Sequence, residues 1–235
     1  VNYLINSDWD VQKMNNRIDV NLEHKYNYSY GKGTINLMLQ SSALGSAYDY
    51  NKLILSAKNN NQLEKLKINT RAYLQFGTGS NWAEESKLSL AGANNEEMMN
   101  SKFTRAEGIV SAEFMEYGYT TNYFHQAGGL NLRGYTGYLA PEFNENGTIS
   151  FDYNGTSGAA FNTEINFTAF LPYSIRKNNI SSYLFADAGI ITSERLTKEN
   201  YKELFSEIRT DAGIGFTYTL RNFGSFETVR PLVIR

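Results

Sequence analysis

The feature that most constrains this chain is strict two-residue alternation of apolar and polar side chains, sustained for a dozen residues and repeated along the sequence. From Asn16 to Tyr28, Ile18, Val20, Leu22, Tyr26 and Tyr28 share one parity, while Arg17, Asp19, Asn21, Glu23, Lys25 and Asn27 share the other. A period of two places the two sets on opposite faces of a strand, whereas a helix would need recurrence near 3.6. A tight Ser29-Tyr30-Gly31-Lys32-Gly33 turn then leads into a second strand at 34–42, with Ile35, Leu37 and Leu39 in phase. Further strands are expected at about 52–58 and 66–76, with a turn at Asn59-Asn60-Asn61 between them. Four more are expected at about 158–171, 182–192, 207–220 and 228–235, giving eight in all. Between 77 and 155 the alternation fails, which predicts one long loop with a short helix near Asn95 to Met99. Loops of such length are usually functional or disordered.

The connections alternate between short turns and long loops, and most strands have about the 9–11 residues that a tilted strand needs to cross a bilayer. The predicted class is therefore all-β, an antiparallel transmembrane β-barrel. The competing architecture, a soluble sandwich, would use shorter strands and would not space Asn, Lys, Arg and Glu so regularly along one face. Composition fits the barrel once alternation is taken into account. Mean hydropathy is −0.45, but a barrel hides its apolar residues among polar lumen residues. Tyrosine (17) and phenylalanine (14) are abundant and proline (3) is scarce, as long strands favour. The chain has no cysteine, hence no disulfide or thiolate chemistry, and no apolar run long enough for a transmembrane helix.

Enzyme signals are weak. His24 and His125 are far apart and lack paired-ligand spacing, no G-x-S-x-G or phosphate-binding glycine loop is present, and Asp152-Tyr153-Asn154-Gly155 reads as an Asn-Gly turn before it reads as a calcium site. No catalytic residue, metal, cofactor or nucleic-acid partner is expected within the chain.

The long loop contains Gly128-Gly129-Leu130-Asn131-Leu132-Arg133-Gly134-Tyr135, a single charge between a glycine entry and a Gly-Tyr exit. On its own this octapeptide is also compatible with a surface turn and a solvated arginine. Together with Glu164 in NTEINF, Phe185-Ala186-Asp187-Ala188-Gly189, Ala212-Gly213-Ile214-Gly215-Phe216 and Arg230-Pro231-Leu232, it resembles the bacterial surface-antigen superfamily. These are the outer-membrane barrels of protein insertases and two-partner-secretion transporters. Leu132 departs from the valine commoner there, and the resemblance covers roughly Gly128 to the end.

The resemblance implies a bacterial outer-membrane location and a loop that folds into the lumen, where Arg133 pairs with Asp187 and Glu164 on the wall. Gly128, Gly129, Leu132, Gly134 and Tyr135 form the rest of the motif. It further implies that the whole chain, 1–235, is a partial barrel, eight consecutive strands of the family's sixteen, lacking the first seven and the last. The chain starts at Val1 without a signal peptide and stops at Arg235 within an extended pattern, in keeping with that expectation. The implied partners are outer-membrane lipid, the remainder of the barrel, periplasmic or lipoprotein subunits and client polypeptides.

The longer wording LAGANNEEMM and FHQAGGLNLRGYTGYLAPE also resembles barrels fused behind zinc aminopeptidase domains in Bacteroidota. That resemblance implies a second role, membrane anchor or exit pore for a metallopeptidase whose catalytic domain lies outside the segment. For membrane topology, alternation predicts that Ile18, Val20, Leu22, Leu66, Ile68, Leu74, Leu184 and Ile190 face lipid.

Overall fold

The computed structural model describes residues 10, 12–100, 127–135, 141–143, 149–151, 154–173, 180–192, 208–220 and 232–234. Eight strands form one antiparallel sheet: β1 (Arg17–Tyr28), β2 (Gly31–Ser42), β3 (Asp49–Leu63), β4 (Leu66–Asn81), β9 (Ser157–Asn166), β10 (Ile180–Thr192), β11 (Arg209–Leu220) and β12 (Leu232–Ile234), adjacent in that order. Between β4 and β9 lie β5 (Leu88–Ser89), the six-residue helix α1 (Asn95–Asn100), β6 (Pro141–Phe143), β7 (Ile149–Phe151) and β8 (Asn154–Gly155), with β5 pairing β8 and β6 pairing β7. Among the described residues the sheet is open, with β1 and β12 at its ends.

Three turn assignments from the sequence need correction. Asn59, Asn60 and Asn61 do not turn: they stay in β3, opposite Thr70, Asn69 and Ile68 of β4, and the reversal comes at Glu64, which adopts a positive φ of 49°. Ladder pairing on both sides outweighs the turn preference of asparagine, and the Tyr28 hydroxyl adds hydrogen bonds to the Asn59 and Asn61 side chains. Likewise Gly31 and Gly33 belong to β2. A Cβ on Gly33 would overlap the Tyr26 ring, so the glycine is needed for that ring to lie across β2. The long loop begins after Asn81 rather than at Gly77, and β9 ends at Asn166, where a 3₁₀ turn at Thr168–Phe170 follows. Asn154 and Gly155 form β8 instead of a turn. Of the expected last strand, only 232–234 falls among the described residues.

Alternation sorts the sheet into two unlike faces. One carries Val20, Leu22, Leu39, Leu53, Leu55, Phe76, Phe161, Leu184, Ile214 and Phe216, all exposed. The other carries Gln40, Lys52, Gln75, Asn162 and Asp187, all buried. This is the reverse of a sandwich, which turns its apolar face to the core. The described parts of the long loop cover the polar face around Gln40, Lys52, Gln75, Asn162 and Asp187. A small apolar cluster, Leu88, Leu90, Leu130 and Leu132 from the loop with Tyr73, Ala160 and Ile191 from the wall, sits between them. Gly158 and Gly189 make that approach feasible, since a Cβ on Gly158 would come within 2.8 Å of Leu88 Cδ2, and one on Gly189 within 3.1 Å of Leu132 Cδ2.

Candidate functional site: the loop anchored on the polar face

The segment 128–135 lies against β4, β9, β10 and β11 through a continuous set of hydrogen bonds. Leu130 and Leu132 donate their backbone N–H groups to the carbonyls of Ser89 (2.9 Å) and Leu90 (3.1 Å), so two pieces of the loop pair with each other. Asn162 of β9 donates its amide to the carbonyls of Leu130 (3.2 Å) and Asn131 (3.0 Å). Arg71 of β4 donates to the carbonyls of Gly129 (2.8 Å) and Leu130 (3.2 Å) and to the Asn162 side chain (2.9 Å).

The two glycines at the entry have separate reasons. Gly129 has φ +55°, and a Cβ there would overlap the Ser89 carbonyl. At Gly128 a Cβ would overlap the Glu97 carboxylate, which accepts the Gly129 N–H through both oxygens at 3.1 and 3.2 Å. Glu97 is itself held by reciprocal bonds with Asn94: the Glu97 N–H donates to the Asn94 side chain at 2.8 Å, and the Asn94 N–H donates to Glu97 at 2.9 Å. This is a capping box at the start of α1. Burial pushes the Glu97 carboxyl above the ordinary carboxylate range, against the opposing pull of its backbone hydrogen bonds and of Arg71.

Arg133 stands at the centre. Its Nε donates to one Asp187 oxygen at 2.8 Å and one terminal nitrogen to the other at 2.8 Å, a bidentate fork. The remaining terminal nitrogen reaches Glu164 at 3.0 Å, and the Thr163 carbonyl accepts a further bond at 3.0 Å. The Arg133 backbone N–H adds a bond to Asp187 at 3.1 Å. The Phe185 ring lies beneath the guanidinium, 4.1 Å from its central carbon, within the range of cation–π attraction. That ring lies flat because Gly213 faces it from β11, where a Cβ would come within 2.7 Å. Half-burial would lower the guanidinium's pKa, but the hydrogen bond and charge of Asp187, with Glu164 beside it, more than offset this and raise it. The Asp187 side chain is fully buried, while Arg133 and Glu164 keep 25% and 21% of their side-chain surface.

The structure thus brings Arg133, Asp187 and Glu164 together. Gly134 and Tyr135 continue the contact to β11: the Gly134 N–H donates to Asp211 at 3.0 Å, and the Tyr135 hydroxyl donates to the Thr210 carbonyl at 3.3 Å. Leu132 is wholly buried in the apolar cluster.

The sequence reading missed a second anchor. Glu96, one residue before the capping glutamate, is paired with Arg17 of β1 and with Lys52 of β3 (3.3 Å), and Gln40 of β2 donates to it at 3.4 Å. Arg71, Asn162 and Asp211 were also missed, although each has the inward parity of its strand. The Asn94-x-x-Glu97 spacing was the signal available for the helix start. His125 lies outside the described residues. Among those described, no group of three or more His, Cys, Asp or Glu side chains is arranged to hold a metal ion.

No family model matches the chain, and no curated protein matches it.

Proposed function

We propose that this chain is part of an outer-membrane β-barrel of the protein-insertion and translocation superfamily, with its long loop latched inside the lumen by Arg133. The observation that carries this reading is the inverted amphipathicity of the sheet. Its apolar face is uncovered across β1, β2, β3, β4, β9, β10 and β11, while its polar face holds the packed loop. In water, apolar exposure of this extent is unfavourable, whereas against lipid tails it is the stable arrangement. Strands of 12 residues tilted about 40° span roughly 30 Å, the thickness of a bilayer core. The arginine fork supports the same reading, because it fixes the loop to β9 and β10 where an uncoupled lumen plug would be free to leave.

Two measurements test the proposal. Cysteines placed at Val20, Leu55, Leu184 and Ile214 of the full-length protein in its native membrane are expected to resist a water-soluble maleimide. Those at Lys58, Asn69 and Thr217 are expected to react, and equal labelling of the two sets would refute membrane embedding. Depletion of the full-length protein is expected to leave outer-membrane or secreted clients unassembled. Clients unaffected by depletion would overturn the transport role and leave the anchoring of a peptidase domain as the function.

A further inference from the structure

The polar face is not uniform along its strands. Where the loop packs, Glu96 is paired with Arg17 and Lys52, and Asp187 and Glu164 share Arg133. Toward the β1–β2 and β3–β4 turns the wall carries an excess of lysine. Lys25, Lys32, Lys58 and Lys67 lie on four neighbouring strands, all are exposed, and all have the inward parity of Arg17, Gln40, Lys52 and Arg71 on the same strands. Lys25 faces Thr34, which faces Lys58, so these two are two strands or about 10 Å apart. Lys32 is one row further toward the turns, opposite Asn27 and Asn60, and Lys67 is opposite Asn166.

Lys25 is paired with Glu23 at 2.7 Å. Lys32, Lys58 and Lys67 have no ion pair among the described residues, and Glu164, the carboxylate nearest in register, is taken by Arg133. The remaining side chains in these rows are mostly neutral amides and hydroxyls, among them Asn36, Asn60 and Asn69.

We propose that this turn-side half of the polar face is a docking surface for an acidic, extended polypeptide segment. The inference rests on the reading of that face as a lumen wall open to client chains. Three features select the occupant. The lysines are solvated and spread over four strands, so they suit a multivalent, drawn-out anion and do not converge on one phosphate. An extended chain repeats its side chains on one face every 6.6–6.8 Å or so, comparable to the spacing of rows along the wall. The amides between the lysines can hydrogen-bond a passing backbone without selecting its sequence. A lipid would have to lay its tails on amides and lysines, on the face opposite the apolar one. Flexible, hydrated lysine stems hold such a segment loosely, which suits passage better than retention.

The test uses the full-length protein in detergent, with a photo-crosslinking amino acid at Asn60, and three unstructured 20-residue Gly-Ser peptides carrying alternating Glu, no charge, or alternating Lys. The Glu peptide is expected to crosslink roughly tenfold better than the neutral one at low salt, as a few exposed ion pairs would give. The advantage should fade by about 0.5 M salt. It should also be lost in the Lys32→Gln, Lys58→Gln, Lys67→Gln triple variant, in which protease protection of the loop confirms a native fold.

Equal crosslinking of the Glu and neutral peptides, in a protein whose outward cysteines remain shielded, overturns the docking surface and leaves the lumen reading standing. Labelling of those outward cysteines sinks the lumen reading itself. Displacement of the Glu peptide by anionic but not zwitterionic lipid micelles would assign the lysines to a headgroup and overturn the proposal.

Discussion

At the scale of single residues, the two carboxylates that hold the loop work under opposite electrostatic conditions. Asp187 receives a full guanidinium fork. Glu97 receives backbone N–H groups in a buried position that disfavours its charge. Arg133→Ala would leave Asp187 buried and unpaired. It is expected to destabilise loop docking by about 3 kcal/mol, the lower end of the buried-pair range because the arginine is itself a quarter exposed. Asp187→Ala should cost a similar amount, and the double variant little more, because both remove one shared contact. Limited proteolysis of the loop in the wild type, both singles and the double checks this, and losses that simply add would refute the shared latch. Arg133→Lys should rescue only in part, since an ammonium cannot reproduce the fork.

Glu97 behaves differently. Its pKa is raised in the docked state, so its contribution is fully present below the ordinary glutamate pKa near 4.5 and is lost as pH rises through the raised value. Glu97→Gln keeps an oxygen for the Gly129 N–H without a buried charge. Loop protection in this variant is expected to match or exceed wild type at pH 7 and to lose the Glu97 contribution to the pH profile. A variant that is markedly less protected at pH 7 would show that the charge is required.

At the scale of elements, the decisive property is that every strand from β1 to β11 in the main sheet keeps its parity without slipping. Among the described residues, the only register irregularity in the main sheet falls between Asp49 and Tyr50 at the loop-side end of β3. A one-residue slip would exchange the faces and put the apolar set against the loop. Rings laid over glycines help to pin the register: Tyr26 over Gly33, Phe185 over Gly213 and Tyr183 over Gly215. The outward face makes its own prediction. Leu184→Arg is expected to cost about 2–4 kcal/mol in urea unfolding of the membrane-embedded protein, as for a charge at the bilayer midplane. Lys58→Arg on the polar face should cost almost nothing. A neutral Leu184→Arg would mean that β10 does not face lipid.

At the scale of the whole molecule, the loop acts as a strut. Glu96 ties it to β1 and β3, Arg133 to β9 and β10, and Gly134 to β11, so its contacts reach from the first strand of the sheet almost to the last. The 235-residue chain alone, with an open sheet and an uncovered apolar face, is expected to sediment as one species only in detergent and to self-associate in buffer. A monodisperse monomer in detergent-free buffer would contradict the membrane reading.

Alternation alone made the strands and their faces legible, because side-chain direction in an extended chain depends only on parity. It did not fix the ends of the elements. Asn59 to Asn61 look like a turn in isolation and become strand because both neighbours supply ladder partners. The arginine and its two carboxylates came from a resemblance of motifs, since no local rule says which inward carboxylate a loop 31 to 54 residues away in sequence will meet. Glu96 with Arg17 and Lys52, Glu97 under Gly128 and Gly129, and Asp211 against Gly134 were decided only by tertiary structure. Each depends on where a long loop comes to rest on a wall, and that is set by the leucines fitting over Gly158 and Gly189, a match of shapes that spacing along the chain does not encode.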